Sequence, residues 1–142
     1  MITVHDTQQF PPSVNIQEPF FSLATNKGWL LIPIAQIVRI QAINNYSKIY
    51  FINGRTEVVA KVLHWFEDIL QSITVQQGVF IRIHRTHLVN SHCIASFRNG
   101  RLVLVNGEEI LVARRKKKLL SETLKAMNGK LTWLSVFKIS AA

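Results

Sequence analysis

Acidic side chains are scarce in this sequence: eight Asp and Glu stand against seventeen Lys and Arg among 142 residues, a formal charge of +9. The resulting pI near 10.2 points to nucleic acid or an anionic membrane surface more readily than to an acidic protein partner. Cysteine occurs once, at Cys93, which excludes an internal disulfide and makes a reducing cytoplasm the expected compartment. Long apolar runs are missing. The longest, Trp29 to Ile34 and Leu131 to Phe137, fall far short of the roughly twenty residues that span a bilayer, so no membrane span is expected. Residues 1–19 hold no signal-peptide core, because His5, Asp6, Gln8, Gln9 and three prolines interrupt them. Internal repeats and low-complexity tracts are absent too.

What the chain has is 48% hydrophobic content, enough to bury a core within one domain. Residues 1–19 read as an irregular arm. Strand-like runs then follow at Phe20 to Ala24, Trp29 to Ile34, Gln36 to Ala42 and Tyr46 to Ile52, with Glu57 to Ala60 continuing the last hairpin. Asn26-Lys27-Gly28 and Asn53-Gly54 supply the turns. Val62, Leu63, Phe66, Ile69 and Leu70 have the spacing of one helical face. Beyond Gly78 the strand pattern resumes at 79–84, 93–97, 101–105 and 109–113, with turns at Asn99-Gly100 and Asn106-Gly107. A basic run opens a helix over about 115–127, stopped by Asn128-Gly129, and residues 128–142 form an apolar tail. Trp29, Trp65 and Phe66 read as core, Tyr46 as a half-buried support, and Cys93 as inert core. The fold class is mainly β (α+β), with antiparallel sheets and two helices.

Placement of the charge is more telling than its sum. Between residues 80 and 120 the acids are Glu108 and Glu109 alone, while Arg82, Arg85, Arg98, Arg101 and the run Arg114-Arg115-Lys116-Lys117-Lys118 fall in the same stretch. Phe80 to Asn90 is a strand that breaks into a polar, cationic corner at His84-Arg85-Thr86 and then turns apolar again at Leu88-Val89. His84, His87, His92 and Cys93 raise the question of a metal, but His84-x-x-His87 at a strand-to-loop corner lacks the register of common zinc sites. No cofactor is expected. Enzymatic activity would need a paired acid and base or an activated nucleophile, and the His-rich region holds no nearby carboxylate. A second class, an RNA or single-strand binder, would need solvent-facing aromatics on a sheet. Tyr50 and Phe51 are adjacent, so at most one faces out.

In order along the chain stand Ala42-x-x-Asn45-Tyr46, the helical Leu63, Phe66 and Leu70, Phe80-x-Arg82-Ile83-His84-Arg85-Thr86-x-Leu88-Val89-Asn90, and Val112-Ala113-Arg114-Arg115. This order resembles the LytTR-type DNA-binding domain of bacterial transcriptional regulators, over about residues 20–127. The resemblance implies an elongated, mostly β fold, with one helix between sheets and one C-terminal, in which loops rather than a recognition helix reach into DNA. It further implies a sequence-specific, double-stranded DNA-binding regulator that sits as a homodimer on direct repeats.

Carried over by position, the resemblance implies three contact regions: Asn45, Ser47 and Lys48 beside Tyr46; His84, Arg85 and Thr86; and Arg114, Arg115, Lys116 and Lys117. Two departures stand out. Relatives commonly carry Ser where this chain has Ala113 and Thr86; the threonine keeps a hydroxyl and the alanine does not. Relatives also commonly carry a receiver domain, which residues 1–19 are too short to form, so a protein regulator in its place is the expected input.

Overall fold

The computed structural model of the chain describes residues 19–73 and 80–127. The arm through residue 18, the connection at Gly78 and the tail 128–142 lie outside the described residues. Strands β1 (Phe20–Thr25) and β2 (Gly28–Pro33) form an antiparallel hairpin. The central sheet comprises β3 (Ile37–Ile43), β4 (Tyr46–Phe51), β5 (Thr56–Val59), β6 (Phe80–His84) and β7 (His87–Asn90) in the order β5-β4-β3-β7-β6. A three-stranded sheet follows, β10-β9-β8, built from β8 (Ile94–Arg98), β9 (Arg101–Leu104) and β10 (Glu109–Leu111). Helix α1 (Leu63–Ile73) packs between the hairpin and the central sheet, and α2 (Lys117–Ala126) closes the described chain.

The central sheet is apolar on both faces. One face joins Ile40, Ile49 and Leu88 to Leu63, Phe66 and Leu70 of α1 and to Phe21, Leu23 and Ile32 of the hairpin. The other joins Val38, Ile81, Ile83 and Val89 to Leu102, Leu104 and Ile110 of the three-stranded sheet and to Leu120 of α2. A sheet of this kind needs side chains of one strand to serve two cores, and β-bulges arrange that. Ile37 pairs with Phe51 and Arg39 with Tyr50, so Val38 is one extra residue on β3. The parity flips there: Ile37 and Ile40 both reach the α1 core, while Val38 enters the other.

Strand β7 and short 3₁₀ turns at 34–36, 91–93 and 114–116 refine the boundaries expected from sequence. Two expectations are corrected. Trp29 is 71% exposed, because alternation sends Phe21, Leu23 and Ile32 toward α1 and leaves Trp29, opposite Ala24, on the hairpin's outer face. Tyr46 is 51% exposed, since it flanks the β3–β4 turn at the end of the sheet rather than lying over a core. No helix among the described residues is long and apolar enough to cross a membrane.

Cys93 is fully buried in the second core, and burial pushes its thiol up to about 12. Cys93 is therefore expected to stay unlabelled by an alkylating reagent near pH 8 until denaturant opens the fold, as read by intact mass. Labelling of the native protein as fast as a free thiol would contradict this placement.

Candidate nucleic-acid interface

Backbone hydrogen bonds draw the three candidate loops into a row at one end of the sheets. The β3–β4 turn is the two-residue hairpin Asn44-Asn45, closed by Ile43 opposite Tyr46. It requires a left-handed residue, and Asn44 supplies one at φ 55°. Beside it lies the β6–β7 turn, Arg85-Thr86, closed by His84 opposite His87. The Ala42 N–H donates to the Thr86 carbonyl at 2.9 Å, joining these two turns. The Ala113 N–H donates to the Ile83 carbonyl at 3.0 Å, which brings the junction between β10 and α2 against β6.

Most of the sequence-derived site residues reach this surface. Asn45, Arg85, Arg114 and Arg115 are exposed, and Lys48, His84, Thr86 and Lys116 are half-buried. The Arg85 guanidinium makes no hydrogen bond or ion pair among the described residues. The Thr86 N–H donates to His84 Nδ1 at 3.2 Å, and the Thr86 hydroxyl lies 2.8 Å from the same nitrogen. When the His84 ring is neutral, those bonds make Nδ1 the acceptor and leave the proton on Nε2 as an outward donor. Lys48 Nζ lies 5.2 Å from the Tyr50 ring centroid. Lys116 and Lys117 open α2 with no side-chain cap and no acid in the first turn. Lys117 extends sideways: a Cβ built at Gly100 would lie 2.9 Å from its Nζ.

Ser47 does not share this surface. Its side chain is fully buried, and its hydroxyl donates to the Lys61 carbonyl at 2.6 Å. The alternation of β4 turns Ser47 with Ile49 toward α1, where it fastens the chain leading into that helix.

Sequence reasoning missed the brace behind the β6–β7 turn. A second bulge, at Ile83 between Arg82 and His84, turns His84 to the side of the second core, while ordinary alternation between Ile81 and Ile83 sends Arg82 to the α1 side of the sheet. There Arg82 donates to Glu67 Oε1 at 2.8 Å, to the His84 carbonyl at 3.0 Å and to the Arg85 carbonyl at 2.6 Å. One planar guanidinium thus ties the turn bearing Arg85 to α1. The signal was an arginine standing between Ile81 and Ile83 in an otherwise apolar strand.

On the opposite face, Arg39 grips Glu108 through two hydrogen bonds of 2.9 Å and stacks 3.6 Å over the Tyr50 ring centroid. The Tyr50 hydroxyl and the Arg39 guanidinium both donate to Gln41 Oε1. His87 lies beside this group, with its Nδ1 buried and unpartnered among the described residues. Burial first, then the charges of Arg39 and His84, push His87 down to about 4, Glu108 opposing them. Among the described residues no group of three or more His, Cys, Asp or Glu side chains could hold a metal ion.

Arg82→Lys keeps the charge but cannot span three acceptors, so amide exchange at Arg85 and Thr86 should accelerate about tenfold, with a global loss of roughly 1–2 kcal/mol. Exchange unchanged at those amides would deny Arg82 its bracing role. Because the folded pKa of His87 lies below the ordinary 6.5, its contribution is complete above about pH 6.5 and is lost as pH falls toward 4. Glu108, held low chiefly by the Arg39 hydrogen bond, and half-buried His92 act in the same direction. Urea unfolding should show a loss on the order of 1 kcal/mol between pH 7 and 5, and a smaller loss in His87→Leu. Equal losses in both proteins would remove His87 from the account.

Comparison with known proteins bears on what such a row of loops is for. Comparison with curated proteins finds no match. Among solved structures, the LytTr DNA-binding domain of a Bacillus cereus protein superposes with a TM-score of 0.59 at 22% identity, covering 75% of this chain and 96% of that one. At that identity the likeness concerns the fold. The family model described as LytTr DNA-binding domain matches residues 27–125, which takes in all three loop regions and both helices but for the last residue of α2, and leaves out β1. With the match covering most of the sequence, the chain belongs to the LytTR family of DNA-binding domains.

Proposed function

We propose that this domain reads specific sequences in double-stranded DNA as a homodimer on direct repeats, and that it regulates transcription in the cytoplasm by doing so. The observation that carries the reading is the row formed by Asn44-Asn45, Arg85-Thr86 and Arg114-Arg115, stitched edge to edge by backbone hydrogen bonds. Adjacent strands lie about 4.8 Å apart, so the first two turns, centred two strands from each other, are separated by roughly 10 Å. A major groove about 12 Å wide accommodates that pair, or one turn with its neighbour on the flanking phosphates.

Roles divide by chemistry. Arg85 is the base reader: it is exposed, unpaired among the described residues, and carried on a turn braced by Arg82, and its planar fork suits the O6 and N7 of guanine. His84 offers its Nε2 proton to an acceptor, and Asn45 offers an amide at the neighbouring tip. Arg114 and Arg115 lie at the start of a helix whose first turn is open to an anion, and Lys116 adds phosphate affinity.

Selection of bound fragments from a random duplex pool, followed by titration over a salt series, tests this. Arg85→Ala should relax discrimination at one base pair by roughly 1–3 kcal/mol, while Lys116→Ala should weaken every duplex alike and lower the salt slope by about 1. Equal affinity of the wild type for all duplexes, or preference for single-stranded RNA in competition, would overturn the sequence-specific reading.

A further inference from the structure

The β8–β9 turn belongs to the same row, although nothing in the three-loop reading uses it. The Val112 N–H donates to the Gly100 carbonyl at 3.0 Å, one residue before Ala113 bonds to Ile83. Asn99-Gly100 thus stands next to Arg114-Arg115 as they stand next to His84-Arg85. The turn is a two-residue hairpin with φ 54° at Asn99 and 75° at Gly100, the conformation that matches strand twist.

Its charges are arranged unfavourably for a free protein. Arg98 and Arg101 are directly opposed cross-strand partners, both exposed on the side away from Leu102 and the core. Like charges directly opposite each other destabilise a hairpin. Lys117 of α2 brings a third cation to the tip of the turn, its Nζ occupying the space where a side chain at residue 100 would begin. Against these three stands one acid: Glu109 meets Arg101 at 3.5 Å, with both side chains more than half exposed. Arg98 has no acidic partner among the described residues. An oxyanion seated over the turn would relieve this repulsion.

We propose that Arg98, Arg101 and Lys117 form a phosphate clamp, a fourth contact that grips the DNA backbone beyond the three loops. The clamp rests on the duplex-binding reading above and deepens it. It holds the strand and supplies affinity, reading no base, so that Arg85 reaches its base pair from a position fixed on both sides.

The test uses the full chain, with fluorescent duplexes of several unrelated sequences at a series of salt concentrations, and thermal unfolding without DNA. Arg98→Gln/Arg101→Gln should weaken every duplex by the same factor, on the order of tenfold at physiological salt, and lower the salt slope by up to about 2. Its unfolding midpoint should be unchanged or higher, because repulsion is removed. Arg98→Gln alone, which breaks no ion pair, should give about half the change in slope. Arg98→Lys/Arg101→Lys, which keeps both charges, should restore most of the binding. Wild-type slope and affinity in the double variant would overturn the clamp while leaving the three-loop reading intact. Loss confined to one duplex sequence would make the turn a base reader and refute the clamp. A wild type that binds no duplex would sink both.

Discussion

Strand β3 runs through the middle of the five-stranded sheet and carries one more residue than β4 between Ile37 and Arg39. Without Val38 as the extra residue, strict alternation would put Ile37 and Ile40 on opposite faces. The bulge lets both enter the α1 core, and it lets Val38 and Arg39 leave on the other side. Val38 then helps close the second core, while Arg39 reaches Glu108 across the gap between sheets. Everything on the far side of the sheet depends on that parity change, because the three-stranded sheet has no ladder of its own to the central one. Side-chain packing, the Arg39–Glu108 pair and a few backbone bonds at its ends hold it in place.

The second bulge, at Ile83, does the corresponding work at the site. It turns His84 to the cleft that His87 and Arg39 also face, while plain alternation keeps Arg82 on the helix side. The turn between them is therefore held from both faces of the sheet: by two hydrogen bonds from Arg82, itself anchored to Glu67, on one, and by the Thr86–His84 bonds on the other. A loop that must present a side chain to within a few tenths of an ångström gains from rigid support of this kind. The partly buried charge pairs, Arg39–Glu108 and Arg82–Glu67, fit the same purpose. Such pairs add little net stability over apolar packing, but removing one partner is costly, so they fix geometry.

Much of this was legible in the sequence, and what was not has a common cause. The strands around Asn53-Gly54, Asn99-Gly100 and Asn106-Gly107 follow from turn chemistry, and the Leu63, Phe66, Leu70 stripe from helical period. The order of Asn45, His84-Arg85 and Arg114-Arg115 carried the family. Bulges, however, leave no mark in a pattern of alternating residues, so the faces served by Ile37, Ile40 and His84 could not be read from spacing. Ser47 illustrates the cost: it lies in a polar loop by sequence, yet β4 alternation turns it inward onto the Lys61 carbonyl. Trp29 failed differently. A large aromatic is a good guess for core, but a two-stranded hairpin has one face on α1 and one free.

Electrostatics at the loop end gives the function its physical logic. Lysines fill the first turn of α2, where the positive end of the helix dipole disfavours them, and no acid or side-chain cap offsets them. Arg98 faces Arg101 across a hairpin, and Lys117 lies over the turn between them. Each misfit costs the isolated protein only a few tenths of a kcal/mol or so. Scattered over a surface they would mean little. Here they are gathered at the one end where backbone bonds also align the exposed Arg85 with Arg114 and Arg115. On the proposed reading, the same juxtaposition that weakens the free fold becomes favourable once phosphates occupy that end, because each cation then exchanges a like-charged neighbour for an anion and releases bound counterions. Stability given up locally by the free domain is recovered as affinity, and the apolar faces of the central sheet, buried on both sides, are what allow the fold to tolerate the loss.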